Sequence, residues 1–290
     1  MSKDIIDIEA ALKLRGFFFR ISSRIRGYRV GIHKSFHKGI SPDFMEYKEY
    51  SLGDELRHID WRLYGRLDRL YVKKFEDEVN LNWYILIDRS GSMGYASKEV
   101  SKFDYAVRLS ATLAYLLLKQ GDSVGIVDFS DKEVDIILPR SGTASLIYIL
   151  EKLKSLRPGG KSSLKEAVLK TVGRINMDSV FVLVSDFLMD LELIEESIKL
   201  TRAVGKDTIA IHVIDPDEIE FNFDGSIEFE DMEEDIKVLV ETEGFRDIYK
   251  KRVEEFIQKL RLICRKNGSR YVLSPSNIPI GDVLIQISDK

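Results

Sequence analysis

The sequence predicts an α/β protein: a doubly wound, mostly parallel sheet flanked by helices, with a small β-rich N-terminal unit. Two observations carry this expectation. From about residue 80, four short apolar runs rich in β-branched residues recur, "LNWYILID", "DSVGIVDF", "SVFVLVSDF" and "DTIAIHVID", each ending in or next to an acid. Between them lie segments with helical periodicity. Unbroken apolar strands separated by amphipathic helices mean a parallel sheet covered on both faces.

Taken in order, the segment from about 4 to 25 spaces Ile5, Ile8, Leu12 and Phe19 near the helical period, which predicts an amphipathic helix. Residues 28–78 alternate in strand fashion in "DFMEYKEY" and "RLYVKKFEDEV", around the turn "SLGDE". The expected division is therefore 1–78, an N-terminal helix with a small β-rich unit, and 79–290, the sheet domain. Within the latter, helices are expected over 102–119, 143–157, 163–175 and 190–204. "EVDIILP" follows its preceding strand too closely for a helical crossover, so it is expected to turn back as an antiparallel edge strand. An acidic hairpin near 217–243 is expected, with Phe221 and Phe223 alternating before the turn "DG". A long helix from about 245 to 266 and the strand "RYVLS" close the domain.

Composition narrows the function classes. The chain has 290 residues, 44% of them hydrophobic, enough for a substantial core. The single cysteine, Cys264, cannot form an internal disulfide and shares a helical face with Phe256, Leu260 and Ile263, so it reads as a core residue rather than a nucleophile. Basic residues interrupt every apolar run at the start, unlike a signal peptide, and no run approaches the roughly 20 apolar residues that span a bilayer. A cytoplasmic protein is the expectation. The net charge is −4, but residues 1–75 carry +6 and the remainder −10. The basic excess over "FFFRISSRIRGYRVGIHKSFHKG" raises nucleic-acid binding as an alternative, although it is diffuse and reads first as a solvated face.

Chemistry concentrates at "YILIDRSGSM", where an apolar strand stops at Asp88 and two hydroxyls, Ser90 and Ser92, follow at alternate positions. In an open parallel sheet, ligands bind beyond the carboxyl ends of the strands. Asp186 ends "VFVLVSD" on the same rim, and two such acids repel unless a cation lies between them. Carboxylates and hydroxyls without His or Cys favour a hard cation held by oxygen, Mg²⁺ or Mn²⁺ before Zn²⁺, with Ca²⁺ as another candidate.

The strand ending in DxSxS, with Asp88, Ser90 and Ser92, resembles the metal-ion-dependent adhesion site of von Willebrand factor A domains, a Rossmann-like fold. That family completes its site with a Thr from a second loop, usually after paired glycines, and an Asp at a later strand end. The resemblance puts Ser162 of "RPGGKSSLKEAV" in the Thr position, with Ser163 as the alternative, and Asp186 in the Asp position. It implies a metal set of Asp88, Ser90, Ser92, Ser162 and Asp186.

A second resemblance narrows the first. "EYKEYSLGDELRHIDWRLYGRLDRLYVKKFEDE" is similar to the signature of the bacterial and archaeal family called domain of unknown function fifty-eight. The match runs through Tyr50, Gly53, Asp54, Arg57, Ile59, Asp60, Trp61, Arg69, Leu70 and Val72, and departs at Tyr64, where a small residue is commoner. This resemblance implies a non-enzymatic, metal-dependent protein-binding module working with a MoxR-type AAA+ ATPase in assembling or activating other proteins. An acidic side chain of the partner would complete the coordination of the metal.

Competing readings of the same residues are a helix cap or Asx-turn at Asp88, Ser90 and Ser92, and a metal-dependent hydrolase or phosphotransferase with Asp88 as nucleophile. The second would need an acid two residues later, where Ser90 stands. "SLRPGGKS" ends like a phosphate loop but has Ser155 where Gly is required and follows a helical segment. His212 in "TIAIHVI" reads as a buried strand residue. For His58, Arg57, Asp60, Trp61 and Arg62, a buried ion pair under the indole is expected ahead of a partner surface.

Overall fold

The computed structural model describes residues 5–17, 19, 44–51, 54, 56, 59–75, 80–175, 179–223, 225–230, 237–241 and 244–288. The chain divides into two units, Ile25–Asn80 and a larger one made of Met1–Arg24 with Leu81–Lys290. The boundary at Asn80 lies two residues from the expected 78; the difference is that the first residues group with the larger unit and not with the β-rich one. Helix α1 (Ile8–Lys13) belongs to the larger unit because its Ala10, with Leu14 and Phe19 beyond it, enters that unit's core. The helix is also much shorter than the expected 4–25. After Lys13 the chain turns, and the Phe19 backbone N–H donates to the Gln120 side chain while the buried Phe19 ring packs inward.

In the smaller unit, strand β1 (Phe44–Glu49) pairs antiparallel with β2 (Tyr71–Phe75), as the alternation predicted. A helix the periodicity did not announce, α2 (Trp61–Leu67), lies between them. Asp60 makes it: its carboxylate accepts from the backbone N–H of Arg62 and Leu63, and the Tyr47 hydroxyl donates to its other oxygen at 2.9 Å. The expected ion pair rests in part on Arg57, outside the described residues, and the indole expected to cover it is open to solvent. Trp61 is 63% exposed and meets Tyr64 edge-on at 6.2 Å. Arg57 and His58 lie outside the described residues, as does the basic stretch 20–43.

The larger unit is built on six strands: β3 (Asn82–Asp88), β4 (Ser123–Phe129), β5 (Val134–Arg140), β6 (Ser179–Ser185), β7 (Asp207–Ile214) and β10 (Arg270–Pro275). Their order is β10-β7-β6-β3-β4-β5, and every pairing is parallel except the edge strand β5, which runs antiparallel to β4. The period-two alternation explains why these strands read as continuous apolar runs. Trp83, Ile85 and Ile87 of β3, with Val180, Val182 and Val184 of β6, face one core, shared with α3 (Lys102–Gln120), α4 (Thr143–Ser155) and α9 (Ile280–Ile287). Tyr84, Leu86, Phe181 and Leu183 face the other, against α5 (Leu164–Val172), α6 (Leu191–Val204) and α8 (Phe245–Lys266). At the base of the sheet, the Trp83 indole N–H and the Leu81 backbone N–H both donate to the buried Asp122 carboxylate at 2.9 Å.

Cys264 is buried in the second core with Phe256, Leu260 and Ile263, and burial pushes its thiol up to about 12. His212 is buried too: its Nδ1 is 2.8 Å from the Tyr271 hydroxyl, and desolvation lowers it to about 4. The acidic hairpin lies within the expected span of 217–243, but Phe221 and Phe223 are not part of its strands. Its strands are β8 (Ser226–Glu230) and β9 (Lys237–Glu241), preceded by the short helix α7 (Pro216–Glu220). Phe221 instead takes a left-handed φ of 49° at the end of α7 and packs on Phe223, Phe245 and Tyr249.

Candidate functional site

β3 and β6 are neighbours, which brings Asp88 and Asp186 to one rim of the sheet. Asp88 is fully buried, and both its oxygens are engaged. The Ser90 backbone N–H donates to Oδ1 at 2.9 Å, closing an Asx-turn, while the hydroxyls of Ser162 and Ser185 each donate to Oδ2 at 2.7 Å. Ser90 Oγ lies 3.1 Å from Ser92 Oγ. Asp88, Ser90, Ser92 and Ser162 are thus linked in one polar cluster, open to solvent through the half-buried Ser92 and Ser162. Of the two hydroxyls after the glycine pair, Ser162 reaches Asp88, whereas Ser163 donates to the Ser130 carbonyl at 2.7 Å.

The glycine pair knits the second loop to the first. The Gly91 N–H donates to the Gly160 carbonyl and the Gly159 N–H to the Arg89 carbonyl, both at 2.7 Å. Gly160 has φ +85°, and a Cβ there would stand 2.3 Å from Asp131 Oδ1, so the close approach needs glycine on two counts. Asp131 Oδ1 in turn accepts from the Lys161 N–H at 2.9 Å, which sets the backbone just ahead of Ser162. The loop that looks like a phosphate cradle in sequence thus spends the N–H groups of Gly159 and Lys161 on the protein.

Asp186 is held differently. Its Oδ1 accepts from the Leu188 N–H at 3.2 Å, and its Oδ2 is 2.9 Å from the ammonium of Lys102, at the first turn of α3. The same ammonium lies 2.7 Å from Glu218 Oε1, on α7. Lys102 is 0% exposed. Burial alone would lower its pKa, but the two carboxylates outweigh that and raise it, so the group is an ammonium. Glu218 is itself pushed up by burial, against the pull of Lys102. Among the described residues no such cation pairs with Asp88: desolvation, then the charge of Asp186, raise it to about 6 despite its three hydrogen bonds.

This corrects one step of the sequence argument. Repulsion between the two strand-end acids does not by itself demand a metal, because Lys102 already supplies a positive charge to Asp186. Lys102, Ser185 and Glu218 were not anticipated. A faint signal existed for the first: a lysine in the opening turn of a helix runs against the helix dipole and asks for an explanation. Ser185 was quoted in "VSDF" but not assigned. Its hydroxyl accepts from the Phe187 N–H at 2.9 Å while donating to Asp88, shaping a turn in which Phe187 takes φ 53°. The other strand-end acids serve the scaffold. Asp128 pairs with Arg89 and Lys152 at 2.9 Å each, and Asp215 caps α7.

The oxygen set fits a hard cation. A hydroxyl that donates its proton to Asp88 keeps its lone pairs for a cation, so Ser162 can serve both at once. Among the described residues no group of three or more His, Cys, Asp or Glu side chains is placed to hold a metal, so any cation depends on the hydroxyls and on at most two carboxylates.

Several residues of the N-terminal signature serve the scaffold, whereas Trp61 is exposed. Tyr50 donates its N–H to the Leu70 carbonyl, Asp54 pairs with Lys48 at 3.0 Å, Ile59 bridges Val72, and Asp60 caps α2; Gly53 and Arg57 lie outside the described residues.

Comparison with known proteins finds relatives in sequence and in structure. An uncharacterized protein of Mycobacterium tuberculosis (strain ATCC 25618 / H37Rv) is 22% identical over 235 residues, covering 79% of this chain and 73% of that protein. The uncharacterized protein YeaD of Bacillus subtilis (strain 168) is 24% identical over 137 residues, 47% of this chain and 32% of its own. Among solved structures, the chain is similar to BatB from Bacteroides thetaiotaomicron, at 15% identity and TM-score 0.48 over 72% of this chain and 97% of that one. It is also similar to the SpRpn10 VWA domain, at 11% identity and TM-score 0.44 over 72% and 95%. The mostly parallel sheet with DxSxS at the end of an inner strand resembles the arrangement of von Willebrand factor A domains. Residues 46–258 match the family described as protein of unknown function DUF58, and the chain belongs to it.

Proposed function

We propose that this chain is a non-enzymatic protein-binding module whose rim holds Mg²⁺ through Asp88, Ser90, Ser92, Ser162 and Asp186 and, through that ion, an acidic side chain of a partner. The observation that carries the reading is the state of Asp88. It is a fully buried carboxylate raised to about 6, linked to neutral hydroxyls and short of positive charge, at a rim that opens through Ser92 and Ser162. When bound, the ion supplies that charge and a coordination position for an incoming carboxylate. The protein's own residues orient the set: Ser185 and Ser162 fix Asp88 Oδ2, the Ser90 N–H fixes Oδ1, and the Gly91–Gly160 hydrogen bond holds the two hydroxyl-bearing loops together.

The surroundings suit a protein partner. Beside Ser162, an open hollow of about 340 Å³ is lined by Leu169, Met189 and Leu193, and Leu169 and Leu193 are exposed. An acid that reaches the rim would bring an apolar neighbour to this hollow. The arrangement disfavours Asp88 as a nucleophile, since both its oxygens are occupied and none of its surface is exposed. The family resemblance makes a MoxR-type AAA+ ATPase the first partner to test. A cytoplasmic setting completes the proposal; among the described residues no helix is long and apolar enough to cross a membrane.

Calorimetric titration with MgCl₂ tests the site. The wild-type chain binds with one ion per chain, and Asp88→Ala retains the fold by circular dichroism while losing the binding heat. Undiminished Mg²⁺ binding by Asp88→Ala would refute the site. Co-purification of the ATPase in Mg²⁺ and its loss in chelator test the partner.

A further inference from the structure

Lys102 is unusual for what surrounds it. Its ammonium is wholly enclosed, 2.9 Å from Asp186 Oδ2 and 2.7 Å from Glu218 Oε1, with the Tyr95 ring 6.0 Å away. A lysine at the first turn of a helix is disfavoured by the positive end of the dipole, and an enclosed ammonium loses its hydration. An apolar side chain of similar length would incur neither cost. What the ammonium adds is charge, placed on Asp186, which the hydroxyl cluster does not hold. Asp186 therefore has two possible counterions, the resident ammonium and an arriving divalent ion.

We propose that Lys102 is an internal counterion that sets the divalent-cation affinity of the rim: it holds Asp186 in the cation-free protein and competes with the ion for that carboxylate. The inference rests on the metal-site reading above and concerns its regulation. With Asp88, Asp186 and Glu218 ionised, Lys102 leaves a formal charge of −2, which one divalent ion neutralises. Without it, the charge is −3 and the ion is bound more strongly. Even water-like screening of a unit charge acting on a dication a few ångströms away is worth about a tenfold change in affinity. Glu218 shares the ammonium, so the balance also depends on α7. Asp215 anchors that helix to the loop ahead of α3 by accepting from the Ser97 N–H at 3.0 Å.

The test uses the full chain, stripped with chelator, in three forms: wild type, Lys102→Met, and Lys102→Met with Asp186→Asn. MgCl₂ titration by calorimetry should show Lys102→Met binding at least about tenfold more tightly than wild type. Melting in chelator should show Lys102→Met less stable than wild type, with a larger rise in melting temperature on adding Mg²⁺. The double variant should recover stability in chelator and lose the gain in affinity. If Lys102→Met binds Mg²⁺ no better than a wild type that does bind, the counterion role is overturned and the metal site stands. If neither binds, both fall. If wild type fails to bind and Lys102→Met binds, the resident ammonium outcompetes the ion and the proposal holds in its strongest form. Should Lys102→Met not fold in chelator, Glu218→Gln takes its place. That change leaves the ammonium to Asp186 alone and should weaken Mg²⁺ binding several-fold; unchanged or tighter binding overturns the proposal.

Discussion

Replacing Gly160 by alanine perturbs the joint on which the site depends, and its cost can be worked from the geometry. Gly160 sits at φ +85°, where an L-residue costs about 1–2 kcal/mol. The added Cβ would lie 2.3 Å from Asp131 Oδ1, and that oxygen is not free to swing away, because it accepts the Lys161 N–H at 2.9 Å. Displacing it forfeits about 1 kcal/mol more. Gly160→Ala should therefore destabilise the protein by about 2–3 kcal/mol in urea titration. Asp131→Ala separates the two contributions. In that background the clash is gone and Gly160→Ala should cost only the backbone part, about 1–2 kcal/mol, so the two changes are not additive. Mg²⁺ affinity should fall with Gly160→Ala, because the loop that carries Ser162 is displaced. A cost under about 0.5 kcal/mol, or strict additivity with Asp131→Ala, would refute the account of why glycine is required.

Two further predictions concern buried titratable groups. His212 is held near 4, below its ordinary 6.5, so the folded state favours the neutral ring. Its contribution is fully present above pH 6.5 and is lost as pH falls from 6.5 toward 4, up to about 3 kcal/mol; His212→Gln should flatten that part of a stability-against-pH curve, and an unchanged slope would sink the assignment. Cys264, buried with its thiol raised to about 12, should be inert to a thiol reagent in the native protein at pH 8 and react fully in denaturant. Rapid native-state labelling would show that α8 opens locally.

Much of this was legible in the sequence, for reasons that particular residues make plain. Trp83, Ile85 and Ile87 face one core while Tyr84 and Leu86 face the other, so β3 had to read as a continuous apolar run, and the neighbouring inner strands behave alike. The edge strand β5 was visible because a short connection leaves no room for a crossover. Asp88, Ser90, Ser92, Ser162 and Asp186 were legible as strand-end and loop positions, which a parallel sheet gathers on one rim. The hairpin was legible as a span, 217–243, but Phe221 and Phe223, read as its first strand, form an aromatic cluster at a helix end, because local pattern does not distinguish the two.

The sequence by itself determined which segments are strands and helices, and which residues end the strands, because hydrophobic periodicity and turn chemistry are local properties of the chain. Only the tertiary structure decided what those strand-end acids face. Lys102 lies 84 residues from Asp186 and 116 from Glu218, and no local pattern couples them. The packing of α3 against the sheet brings that ammonium to the rim. It makes Asp186 a carboxylate with a resident counterion, while Asp88 is held by hydrogen bonds from Ser90, Ser162 and Ser185.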